Sequence, residues 1–190
     1  MSSLIDIITA TFIGAILILM IIGINFYIEN SSREITNANI AQMNVKEIAE
    51  VLDYDLYKVG FRVPDSKILI ADSTRLVFQS DIDNNGKIDT IEYVLGSPNE
   101  LTSTPNPKDR ILYRLMNNGP RRGSNLGVVD FKFTYYDSSN TVLSYSSLVS
   151  KTQRDRIKAI GYYVKVESVF PVEGYYPGAE IKKTIRPKNL

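Results

Sequence analysis

A chain of 190 residues, 44% hydrophobic and 23% charged, has the size of one domain with an appendage and is too apolar for wholesale disorder. Its net charge of +1 excludes the global basic field that draws in nucleic acid. It contains no cysteine, histidine or tryptophan, which excludes disulfides, thiolate nucleophiles, cysteine-based metal centres and the side chain that most often serves as general base near neutral pH; the reading is of a non-enzymatic chain.

No charged residue lies between Ile7 and Ile28. A helix needs about 20 apolar residues to cross the hydrocarbon core. A signal peptide would show a basic start, a shorter apolar core and a small-residue cleavage site, and a buried helix apolar all round would need protein on every side. The expectation is a transmembrane helix over residues 1–29. Asp6 stands at the mouth of the run, where it reads either as an interfacial residue complementing the helix dipole or as a charge kept to meet a partner's positive group. The first basic residue is Arg33, so the flanking charge alone favours a cytoplasmic C-terminal side.

Helical spacing continues beyond the run. Val45, Ile48, Ala49, Leu52, Leu56 and Val59 recur at helical intervals and form one apolar stripe. Gly60 and Pro64 then mark the end of the helix. Residues 30–59 are therefore expected to continue the helix, with a bend near Asn30-Ser31-Ser32, and to dock on the remaining chain. Residues 60–190 read as a β-rich head, with strands over 66–71, 75–80, 87–95, 110–116, 128–136, 141–145, 157–169 and 179–186. The stretch 97–109, with three prolines, reads as a long surface loop. The fold class is α+β: a long N-terminal helix, transmembrane in its first half, packed on an antiparallel β-sheet head.

Asp81-Ile82-Asp83-Asn84-Asn85-Gly86-Lys87-Ile88-Asp89-Thr90-Ile91-Glu92 matches the EF-hand loop pattern. Calcium ligands would come from Asp81, Asp83, Asn85, the Lys87 carbonyl, Asp89 and Glu92, with Gly86 making the sharp turn. The flanks read as strands, so a plain hairpin turn using Asp, Asn and Gly for their backbone tolerance stands as the alternative. In either case the role is structural. Arg121 and Arg122 on a loop tip read as solvated, since phosphate binding needs a larger cluster. The segment Gly174-Tyr175-Tyr176-Pro177-Gly178 reads as a contact loop or as rings folded onto the head.

Several of these stretches resemble the type IV pilin and pseudopilin family, most closely its larger minor pilins and J-type minor pseudopilins. Ser2-Ser3-Leu4-Ile5-Asp6 before the apolar run is similar to the mature N-terminus of that family. Asp55-Leu56 with Gly60-Phe61, the 76–93 hairpin, Ile111-Leu112-Tyr113-Arg114, the 129–135 strand and the closing Ile185-Arg186-Pro187-Lys188-Asn189-Leu190 resemble its later motifs in order. The resemblance implies a pilin-like fold and a single-pass inner-membrane subunit with a periplasmic or extracellular head. It implies assembly with other pilin or pseudopilin subunits into a type IV pilus or type II secretion-like filament, and Asp6 would stand for the glutamate that pairs with a neighbour's N-terminal amine. It also implies cleavage by a prepilin peptidase and N-terminal methylation. Met1 stands where the cleaved glycine would be, Asp replaces Glu, Ser replaces the aromatic residue and no proline interrupts the helix, so processing of this N-terminus stays open. The alternative function is a single-pass, calcium-stabilised surface binding module that does not polymerise.

Overall fold

A computed structural model describes residues 2–123 and 125–190. Helix α1 spans Ser2–Tyr57 and carries the apolar run. It has no internal proline, so its hydrogen bonding passes unbroken through Asn30-Ser31-Ser32, and at 1.5 Å per residue it is about 84 Å long. The helix ends two residues earlier than the apolar stripe, because a tight turn follows: Val59 N–H donates to the Leu56 carbonyl at 3.2 Å and Phe61 N–H to that of Lys58 at 2.9 Å. Gly60 sits at φ +77°, and its N–H donates to Gln79 O at 2.9 Å, stitching the helix end to the sheet.

All eight expected strands form, with ends shifted by a few residues. They are β1 (Ile68–Ala71), β2 (Arg75–Ser80), β3 (Asp89–Leu95), β4 (Leu112–Met116), β5 (Val128–Tyr136), β6 (Val142–Leu143), β7 (Ala159–Glu167) and β8 (Gly178–Ile185). They divide into two antiparallel four-stranded sheets, β1-β2-β3-β4 and β6-β5-β7-β8. The two join edge to edge. Arg110 N–H donates to Val128 O, and Phe133 N–H, beyond the reach of the short β6, donates to Ser73 O in the β1–β2 turn, each at 2.7 Å. Between β6 and β7 the chain makes a 3₁₀ segment, Tyr145–Val149, and one helical turn, α2 (Lys151–Arg154). Neither has the apolar periodicity that would announce it.

The stripe on the second half of α1 forms the centre of the core. Ala41, Val45, Ile48, Ala49, Leu52, Leu56 and Val59 are buried against Leu76, Phe78 and Ile91 of the first sheet and Phe131, Phe133, Ile160, Tyr162 and Val164 of the second. Strand β5 alternates as its sequence predicts, with Phe131, Phe133 and Tyr135 inward; the two phenylalanine rings meet edge to face at 4.7 Å. Burial of each such side chain contributes on the order of 1.5–3 kcal/mol, which is why the lower helix and the two sheets form one body.

Candidate functional site

Two regions stand apart from the core. The first is the N-terminal half of α1, long and apolar enough to cross a membrane. None of its hydrophobic window is covered by the rest of the chain, and Leu4, Phe12, Leu19 and Phe26 are among its exposed side chains. An apolar surface of this extent far exceeds the patches that soluble monomers leave open. Its two threonine hydroxyls are turned onto the helix backbone. Thr9 Oγ1 donates to Ile5 O at 2.8 Å and Thr11 Oγ1 to Ile8 O at 2.8 Å, so neither presents an unpaired donor.

Asp6 lies on this half, beyond the first helical turn, where no acidic residue is found. The dipole effect fades within one turn, which weakens the reading of Asp6 as a dipole complement. Ala10 and Gly14 follow it at intervals of four residues on one helix face, and nothing approaches the place of a Cβ on Gly14 within 4 Å. Asp6 thus heads a strip of small residues open to close approach by another helix. Met1 lies outside the described residues.

The second region is the loop between β2 and β3. The register sets Ser80 opposite Asp89, bringing the two ends of the loop side by side. Carboxylate oxygens of Asp81, Asp83 and Asp89 lie within 4.8 Å of one another. Asp81 is fully buried: its Oδ2 accepts from Arg62 Nη1 at 2.7 Å and Gly86 N–H at 3.1 Å, while its buried Oδ1 has no hydrogen-bond partner. Burial pushes this carboxyl's pKa up, but the Arg62 guanidinium and the loop amides outweigh it, and the pKa lies below the ordinary value. Asp89 Oδ1 accepts from Asn117 Nδ2 at 2.7 Å, and the Asn117 side-chain oxygen accepts from Thr90 N–H at 2.8 Å.

The other expected ligands fare differently. Asn85 closes its own turn, accepting from Lys87 N–H at 2.8 Å and donating to Asp83 Oδ2 at 2.8 Å. Lys87 is exposed on the loop. Glu92 does not join the cluster, because residues 89 and 92 fall on opposite faces of a strand; it accepts from Arg75 Nε at 2.8 Å instead. Arg62 and Asn117 carry no sequence signal for this role. What remains is an oxygen-only set of three carboxylates with one buried, unsatisfied oxygen, a donor set that fits a hard cation.

The basic loop flanks β4, where Arg122 pairs with Arg114 through backbone bonds of 2.8 and 3.1 Å and the Arg121 guanidinium lies 5.3 Å from the Tyr113 ring centre. Tyr176 of the tyrosine-rich segment donates to Pro105 O at 3.0 Å. No family model matches this chain, and it has no match among curated proteins.

Proposed function

We propose that this chain is a membrane-anchored structural subunit of a type IV pilus or type II secretion-like filament, of the minor pilin or pseudopilin kind. The observation that carries the reading is the division of labour along α1. One continuous helix gives its first half entirely to an apolar surface and its second half to the core of a β-rich head. A rigid rod of this kind inserts its upper part among other helices and displays the head outside, and Asp6 above Ala10 and Gly14 offers a charge and a close-packing face for that contact. The head is periplasmic or extracellular, the partners are other pilin or pseudopilin subunits, and the role is structural rather than catalytic. The buried Asp55 carboxylate at the end of α1 serves that structural role, held by Arg114 and Tyr93 of the head.

The intact mass of the chain extracted from native membranes tests this. Passage through a prepilin peptidase gives a chain beginning at Ser2 with one N-terminal methyl group. A chain that retains Met1 contradicts the pilin pathway.

A second reading rests on the acidic loop, whose buried, unpaired Asp81 oxygen calls for a cation. Calcium is the cation we infer, held by Asp81, Asp83 and Asp89 and completed by water or backbone oxygens, since it takes six to eight oxygens. It would pin the β2–β3 loop beside the end of α1. If the chain does not polymerise, the same features describe a calcium-stabilised surface module on a single-pass anchor.

A further inference from the structure

The connection between β7 and β8 turns back towards the membrane end of the head. Val172 and Tyr175 exchange both backbone hydrogen bonds, at 2.8 and 3.0 Å, around Glu173 and Gly174, whose φ angles are +49° and +86°. That is a two-residue hairpin tip of the kind that needs positive φ at both central positions. Nothing lies within 4 Å of where a Cβ on Gly174 would stand, so the tip is open.

This hairpin rests on α1 just past the apolar run. Asn30 Nδ2 donates to Glu173 Oε1 at 3.1 Å, and Asn37 Nδ2 donates to Phe170 O at 3.5 Å. Between them, the Glu34 carboxylate holds the Tyr175 phenol's pKa above its ordinary value. Asn30 is two residues beyond Ile28, a rise of about 3 Å, and Glu34 is about 9 Å beyond it. The headgroup layer of a bilayer is roughly 5–8 Å thick on each side. The hairpin tip therefore falls at headgroup height with Tyr175 just outside it, whereas Phe170, level with Asn37 about 14 Å beyond Ile28, stands clear of the layer.

The side chains suit that layer. Tyr27, 76% exposed, stands on the same helix face as Asn30 and Glu34, one turn below the tip. Tyr175, beside the tip, is 45% exposed. Aromatic rings with one apolar and one polar end concentrate at membrane–water interfaces. The charges on segments 27–37 and 168–177 are Glu29, Glu34 and Glu173 against Arg33 alone, so no basic patch favours acidic lipid.

We propose that the β7–β8 hairpin is a lipid-docking lip that seats Tyr175, together with Tyr27 of the helix, against a zwitterionic bilayer surface. The proposal rests on the reading of α1 as a membrane anchor. It fixes the head's pose on the membrane before any assembly: held at the lip, with the far end of the head raised. Release from the bilayer strips this contact, so the lip distinguishes the membrane-resident subunit from an assembled one.

The chain has no tryptophan, so single-tryptophan variants report each position cleanly. The full-length chain is reconstituted in phosphatidylcholine vesicles carrying a nitroxide quencher near the headgroup. Tyr175→Trp is the test, with its neighbour Tyr176→Trp as a second reporter should the first disturb the hairpin. Tyr27→Trp reports insertion of the helix. Val149→Trp, an exposed site tied through Arg154 to β1 beside the far end of α1, is the reference. The expected result is loss of fluorescence for Tyr175→Trp close to that of Tyr27→Trp, with Val149→Trp unaffected and no gain on adding acidic lipid. Quenching of Tyr27→Trp alone, with both hairpin reporters matching Val149→Trp, overturns the lip and leaves the anchor standing. Failure of the chain to float with vesicles, with Tyr27→Trp unquenched, overturns the anchor and the lip together. Quenching of the hairpin reporters only when acidic lipid is present overturns the assignment to a zwitterionic surface.

Discussion

Asp53 and Asp55, two residues apart on α1, reach in different directions and fasten the helix to different sheets. Asp55 accepts from Tyr93 Oη at 2.5 Å on β3 and from Arg114 Nε at 2.6 Å on β4. Asp53 accepts from Tyr162 Oη at 2.8 Å on β7 and pairs with Lys183 on β8. Successive helical residues turn by about 100°, so positions two apart flank the apolar stripe on either side. The rod that carries the exposed apolar half is thereby locked to both sheets of the head.

The Asp55 clamp is the more deeply buried. Its carboxylate is 2% exposed and the Arg114 side chain 29%. Asp55→Ala leaves the guanidinium and the Tyr93 phenol without their acceptor, and is expected to cost about 3–5 kcal/mol. Urea unfolding of the full-length chain in detergent micelles measures this. Asp53→Ala, whose partners are wetter, is expected to cost less, and equal losses at the two positions contradict the assignment.

Alkaline pH tests the same two clamps. Burial, with the Asp55 carboxylate adding to it, raises the Tyr93 phenol pKa well above its ordinary value; burial and Asp53 likewise raise that of Tyr162. A phenol whose pKa is higher folded than unfolded holds its proton more tightly in the folded state. Its contribution is complete below the unfolded value near 10 and is lost as pH rises towards the folded one. Stability is therefore expected to fall with pH above about 10. Tyr93→Phe and Tyr162→Phe should each flatten that slope. Urea midpoints across the alkaline range check this.

Calcium is expected to raise the melting temperature of the full-length chain, and a chelator to reverse the gain. At a hundredfold excess over Kd the stabilisation is about 2.7 kcal/mol. Asp83→Asn and Asp89→Asn should abolish the shift. Glu92→Gln should leave it intact, because that residue faces the other side of β3 and pairs with Arg75. A shift lost in Glu92→Gln instead means that the loop rearranges into the full EF-hand ligand set.

Much of this architecture is legible in the residues themselves, because it is local and periodic. The stripe from Val45 to Val59, the alternation in β5 and the Asp-Asn-Asn-Gly turn each carry their own signal within a few positions. The division into two sheets is not legible, since it depends on which edges stay unpaired once β6 proves short. Arg62 and Asn117 were out of reach for a related reason. Each meets the acidic loop across an intervening element, 19 and 28 residues from its partner, where composition offers no pairing rule. Glu92 departs from the loop pattern because that pattern presumes a helix after it, and the period-two geometry of a strand turns the residue away.

The central claim, that this chain assembles through the exposed half of α1, is tested most directly by a photo-crosslinker placed at Phe12 in cells that produce the full-length protein. Sheared filaments and membranes are then separated. The account predicts that the chain appears in the filament fraction and forms adducts there with neighbouring subunits, and that both are lost in Asp6→Ala. A chain confined to the membrane fraction, with no adduct at Phe12 and no response to Asp6→Ala, contradicts it.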